Sequence, residues 1–261
     1  MRILVTFAIR AEFSPWSSRH TFVPYEFENW ERRREFDLFK ANIGRDEVTV
    51  LLTGIGPASA ARAIGSIPFG LYDFCISSGL AGSLSSSIVP GDVVVSRSAE
   101  FLDGKGARGV SDAQLVELAA ASGAKPVEVS LTAERIIATA NEKELLAAKG
   151  SIVDMESAQI LAVANECQVP CVVVRTVSDS SDEDLPLDFG RVLDTRGNLR
   201  IGGLIREVGL SPYRIPLLIQ FGRQSRAAAK SLADFLDRFL EKASRFRPAA
   251  RVPYEEEVSA T

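Results

Sequence analysis

Ile152-Val-Asp-Met-Glu156 opens an apolar helical stretch, and Val172-Val-Val-Arg-Thr-Val-Ser-Asp179 follows it by about one crossover. The pair decides how the chain reads. Between them Ile160, Val163, Ala164 and Cys167 recur at helical spacing. Pro170 then begins a run that is apolar at nearly every position, the signature of a strand buried on both faces. The same alternation continues outward in both directions. Strands are predicted at residues 3–8, 48–53, 73–77, 92–98, 127–132 and 171–177, and helices at 58–64, 112–121, 142–148 and 156–168. At the far end Ala228, Leu232, Phe235, Leu236, Phe239 and Leu240 mark one apolar face of a terminal helix over residues 225–246. Such alternation predicts an α/β fold with a twisted, mostly parallel or mixed central sheet flanked by helices on both faces.

A chain of 261 residues suits one α/β domain, placed here at residues 1–247. Residues 14–47 are polar and aromatic and carry no clear periodicity; residues 185–222 read as an apolar insertion or lid, and 248–261 as a disordered tail. The net charge of −4 argues against nucleic acid or an anionic membrane as partner. No apolar run is long enough to span a bilayer, and the N-terminal residues read as a first strand rather than a signal peptide. Cys75, Cys167 and Cys171 show no metal-ligand spacing and read as buried, reduced thiols. A cytoplasmic protein without metal or organic cofactor is the expectation.

Several residues are candidates for chemistry. Asp179 ends a strand, where a partly desolvated carboxyl can donate a proton to a leaving base; the bland alternative is that Ser178-Asp179 starts a turn. Glu156 at a helix start can accept both hydroxyls of a sugar diol, with Met155 over the sugar's apolar face. A first-turn acid is also common for purely structural reasons, and Asp154 is an equally good cap for the same helix. Ser77-Ser-Gly-Leu-Ala-Gly82 reads as a Gly-rich turn that lets backbone approach a ligand closely. Glu12 is either a general base or a solvated loop carboxylate, and the lone His20 is read as incidental. Gly54-Ile-Gly56 is half a dinucleotide fingerprint, but a third glycine and an acidic residue after the next strand are missing.

Taken together, Val153-Asp-Met-Glu156, Val173-Val-Arg-Thr-Val-Ser-Asp179, Ser78-Gly-Leu-Ala-Gly-Ser83 with Pro90-Gly-Asp-Val-Val-Val95, and Ala8 through Glu12 stand in one order. This order resembles the nucleoside phosphorylase and nucleosidase superfamily, especially methylthioadenosine/S-adenosylhomocysteine nucleosidases. The resemblance covers roughly residues 1–184 and implies a homodimer that cleaves the N-glycosidic bond of a purine nucleoside, an adenine-type substrate. It implies that Asp179 protonates the base with Ser178 beside it, that Met155 and Glu156 bind ribose, and that Ala81 and Gly82 lie along the nucleoside. It further implies that Glu12 orients an attacking water, and that Ile136 or Ile137 falls near the base. Leu80 stands where phosphorolytic relatives place a serine for phosphate, which favours water as nucleophile. Arg10, Arg19, Arg62 and Arg97 keep phosphorolysis open. Residues 185–222 resemble part of the hopanoid-associated nucleosidases; with residues 16–39 they are expected either to line an apolar site for a 5′ substituent or to serve as extra core or a subunit contact. A non-catalytic nucleoside-binding protein is the alternative of another class.

Overall fold

A computed structural model describes residues 1–26, 36–104, 106, 108–186, 215–244 and 246. Most of the expected insertion, the middle of the aromatic segment and the tail lie outside the described residues.

The strands are β1 (Arg2–Phe7), β2 (Val23–Pro24), β3 (Asp37–Ile43), β4 (Asp46–Leu52), β5 (Phe74–Ser77), β6 (Leu80–Ser83), β7 (Val93–Phe101), β8 (Gly109–Val110), β9 (Lys125–Thr132), β10 (Ile152–Asp154) and β11 (Cys171–Asp179). The helices are α1 (Arg10–Ser17), α2 (Pro57–Ile64), α3 (Ala113–Ala121), α4 (Ala140–Leu146), α5 (Ser157–Glu166) and α6 (Ile215–Ala243). All strands join one mixed sheet, ordered β2-β3-β4-β1-β5-β11-β6-β10-β9-β7-β8. β4, β1, β5 and β11 run parallel. β11 also pairs with β7, so β11, β6, β10, β9 and β7 close on themselves into a small barrel. Its interior takes one apolar residue from each strand: Val177, Ala81, Ile152, Val127 and Val94.

The apolar character of the central strands is explained by what covers each face. In β1, Ile3, Val5 and Phe7 meet α1, α3 and α6, whereas Leu4 meets α2 and α5; in β11, Val172 and Val174 point one way and Cys171 and Val173 the other. The expected α/β sandwich of helix, sheet and helix is therefore present. Among the described residues no helix is long and apolar enough to cross a membrane.

Three expectations need correction, and one open alternative is decided. The Gly-rich segment after β5 is not a simple turn, because Leu80–Ser83 forms a strand of its own. Residues 10–17, for which no helix is expected, form α1 despite Pro15, which sits one turn in. Of the two readings of the aromatic segment, Trp16 follows extra core: it is fully buried and packs against Phe7, Phe13 and Phe22. Cys167 is exposed at the end of α5, while Cys75 and Cys171 are buried as expected.

α6 is tied to α1 through Asp237, whose carboxylate accepts from Trp16 Nε1 at 2.7 Å and Arg19 at 3.0 Å and lies 2.8 Å from His20 Nε2. The lone histidine thus has a structural partner.

Candidate active site

β1, β5 and β11 end on the same side of the sheet, where open α/β sheets place their ligands. Short β6 organises what gathers there. Asp179 pairs in register with Gly82, after a bulge that follows Val177. β10 runs antiparallel to β6 with Val153 opposite Gly82, so the chain past Asp154 turns back toward the start of β6. Met155 and Glu156 follow there, near Glu12.

Glu12 is a buried side chain in the first turn of α1. Its Oε2 accepts from the amides of Ala8 at 2.9 Å and Ile9 at 3.3 Å, and its Oε1 accepts from the amide of Leu80 at 2.9 Å. Reaching back to Ile9 is half of a helix capping box; reaching across to Leu80 is not capping and joins two strand ends. Gly79 makes this possible. Its φ of 148° is one that side-chain-bearing residues rarely adopt, and a Cβ would stand 3.1 Å from Glu12 Oε1. Burial pushes the Glu12 carboxyl above its ordinary value, opposed by the Leu80 amide, the positive charge of Arg175 and the Ile9 and Ala8 amides. A carboxyl so placed can take a proton from water.

Glu156 does not cap α5. That task falls to Asp154, which accepts from the amides of Glu156 at 3.3 Å and Ser157 at 3.2 Å and from the Ser157 hydroxyl. The Glu156 carboxylate instead takes the Gly56 amide at 2.8 Å, with Met155 Cε 3.8 Å from the point where a Gly56 Cβ would be. Half of the apparent dinucleotide fingerprint thus serves to approach Met155 and Glu156. Burial, then the neighbouring Asp154 carboxylate, push Glu156 from 4.5 to about 8. The folded value lies above the ordinary one, so the protonated form is the one folding favours. The associated stability is fully present below the ordinary value and is lost as pH rises through about 8. Thermal midpoints of the empty protein should fall between about pH 5 and 9, by the equivalent of a few kcal/mol. Glu156→Gln keeps an acceptor for Gly56 and should flatten most of that slope; an equally steep decline in the variant would contradict the assignment.

Asp179 is buried, with Oδ1 accepting from the Ser178 hydroxyl at 2.6 Å and Oδ2 lying 2.7 Å from Lys143 Nζ. Ser178 also reaches the carbonyl of Ala81 at 3.3 Å. Gly82 is bare for a reason: a Cβ there would stand 2.9 Å from Asp179 Oδ2. Ala81 points into the barrel interior, so it contributes backbone rather than side chain to this edge. Ile137 packs against Leu84, Leu131, Ala133 and Val153 in a core cluster, and Ile136 is half-buried beside it.

Beneath the carboxylates lies Arg175, fully buried, whose place in the site its sequence motif does not reveal. Its Nε meets Asp154 Oδ2 at 2.8 Å, and its other nitrogens reach the Ser77 carbonyl at 2.7 Å and hydroxyl at 3.1 Å. It joins β11, β10 and β5 below the site. Removing one member of a buried ion pair strands the other charge. Arg175→Met should lose about 3–5 kcal/mol of unfolding free energy in urea titrations, and a loss under about 1 kcal/mol would show the pair to be dispensable. The arginines that kept phosphate open are engaged elsewhere. Arg10 pairs with Asp37, Arg19 with Asp234 and Asp237, and Arg97 with Glu117 and Glu128, while Arg62 reaches Ser59. Among the described residues no cluster of His, Cys, Asp or Glu is arranged to hold a metal ion.

Comparison with known proteins identifies the family and the fold. The family model of the phosphorylase superfamily matches residues 2–200. Solved structures with the same fold include futalosine hydrolase of Helicobacter pylori, 20% identical with TM-score 0.70, covering 92% of this chain and 97% of that one. The 5′-methylthioadenosine/S-adenosylhomocysteine nucleosidase of the same organism, complexed with a pyrrolopyrimidine-bearing pyrrolidinol, is 20% identical with TM-score 0.70 over 92% and 98%. The Neisseria meningitidis nucleosidase of the same name, in complex with methylthio-immucillin-A, is 21% identical with TM-score 0.68 over 92% and 98%. At these identities the structural likeness is one of fold, and it is the family match over most of the length that assigns kinship: the chain belongs to the phosphorylase superfamily.

Proposed function

We propose that this protein hydrolyses the N-glycosidic bond of a purine nucleoside of adenine type carrying a modified or apolar 5′ substituent. Asp179 donates a proton to the departing base, Glu156 and Met155 hold the ribose, and Glu12 accepts a proton from water as that water attacks the anomeric carbon. Atoms balance simply. With Asp179 entering as the protonated acid and Glu12 as the carboxylate, the C–N bonding pair leaves with the base, and the base gains the proton of Asp179. The sugar gains hydroxyl from water whose second proton goes to Glu12, and exchange with solvent returns both groups to their starting forms. Ser178 holds Asp179, and Ala81 and Gly82 offer backbone along the nucleoside. Ile136 and Ile137 supply apolar surface behind the base.

The observation that favours water over phosphate is the position of Glu12. Its carboxylate takes the amides of Ala8, Ile9 and Leu80, donors that an anionic nucleophile would otherwise use. A carboxylate in that place repels phosphate and welcomes water. The fold neighbours named for hydrolysing nucleosides support the reading. Incubating the purified protein with a panel of 5′-substituted adenosines should release free adenine and the matching 5-substituted ribose at a rate independent of phosphate. Formation of the 5-substituted ribose 1-phosphate in phosphate buffer would assign phosphorolysis instead, and unchanged recovery of tightly bound nucleoside would indicate binding alone.

A further inference from the structure

Lys143 sits in the middle of α4 between Glu142 and Glu144, in a polar stretch that reads as a solvated helix face. It is nevertheless one of the largest fully buried side chains of the protein. A lysine is almost never buried completely unless its charge is met. Here the ammonium donates to the Ser180 carbonyl at 2.6 Å and the Glu183 carbonyl at 3.1 Å, and its charge is met by Asp179 Oδ2 at 2.7 Å. Two further bonds fasten the same segment to the start of α4. Asp184 accepts from the Ala140 amide at 2.8 Å, and the Leu185 amide donates to the Ala138 carbonyl at 2.7 Å. The chain leaving β11 is thus wrapped around one ammonium group, and the carboxyl at its head is fixed between that group and Ser178.

We infer that Lys143 is a positioning residue for departure of the base, acting through Asp179. The inference rests on the hydrolytic reading above. An aspartate has two side-chain torsions, and a hydroxyl on one oxygen alone leaves the other free to turn from the ligand. The ammonium on Oδ2 removes that freedom, and it does so beside Gly82, where backbone has been left bare. The acceptors of Lys143 all lie on Asp179 and the segment after it, away from the amides that hold Glu12 and Glu156. Its influence therefore falls on expulsion of the base and leaves sugar binding and water activation untouched.

A leaving group that needs no proton separates this role from a structural one. Nitrophenolate departs as a stable anion, whereas adenine does not. Wild type, Lys143→Met and Lys143→Gln are compared on a 5′-substituted adenosine and on p-nitrophenyl riboside. For the adenosine, kcat should fall about a hundredfold in Lys143→Met with KM within about threefold; for the nitrophenyl riboside, kcat should stay within about threefold of wild type. In an Asp179→Asn background the same substitution should change adenosine turnover little, since the residue it acts through is gone. Parallel losses on both substrates, unchanged adenosine turnover, or additive losses in the double variant would each overturn the inference. If Lys143→Met does not fold, as judged by its melting transition, Lys143→Gln carries the same comparisons. Where wild type cleaves the adenosine but not the nitrophenyl riboside, the double-variant comparison alone decides. A wild-type protein that cleaves neither probe sinks the hydrolytic reading itself, and this inference with it.

Discussion

Asp179→Asn should lower adenine release by about two to four orders of magnitude, the usual worth of a positioned acid, while remaining folded at a lower melting temperature because the buried Lys143 loses its counter-charge. Asparagine preserves the volume and an oxygen for Ser178 at Oδ1, but it cannot hand over a proton. Its amide also faces the Lys143 ammonium donor to donor if the nitrogen occupies the Oδ2 position, so the amide oxygen will turn toward Lys143 and leave Ser178 with the poorer partner. The measurement is steady-state turnover of a 5′-substituted adenosine alongside thermal melting. Full turnover in the variant would remove Asp179 from the chemistry. A loss matched by an equal loss on a leaving group that needs no proton would reassign it to structure.

Glu12→Gln should have the second largest effect, a reduction of about a hundredfold or more in hydrolysis. The substitution is sterically mild and electrostatically informative. The carboxylate now meets three backbone donors, from Ala8, Ile9 and Leu80. A glutamine has one oxygen for them and presents an NH₂ group where the others expect an acceptor, so stability is expected to fall by about 1–3 kcal/mol as well. Activity and stability can be told apart by pH. Burial raises the Glu12 carboxyl, so wild-type hydrolysis should decline on the acidic side as that carboxyl becomes protonated. In the variant this acidic decline should vanish along with most of the rate. A variant that keeps the wild-type acidic limb would show that another group acts as base.

The parts of the site carried by local pattern are legible in the sequence. Asp179 closes an apolar strand and Glu156 opens a helix, and both positions follow from residue spacing alone. What the sequence conceals depends on distant partners. β6 has only four residues, three of them small, so neither periodicity nor β-propensity marks it; it exists because β10 and β11 pair with it on either side. Helix α1 is obscured by Pro15 and by the charged residue at its third position, which turns inward only because amides of β6 and of the β1 end await it. Lys143 is hidden most thoroughly: flanking glutamates advertise solvent, and only the return of the chain after β11 supplies the carbonyls that let it be buried. Arg175 gives one signal, a cation inside a strand otherwise apolar, which is an expensive placement without a buried anion nearby. Asp154 is that anion.

Because β11 is at once a rung of the open sheet and a stave of the small closed barrel, the layer that carries Asp179 cannot part like the pages of a book. It is hydrogen-bonded to β5 early, to β7 midway and to β6 at its end. Any breathing at this edge of the sheet therefore falls to the segments fastened above the strand ends, while the floor beneath Asp179 is held by neighbours on both sides.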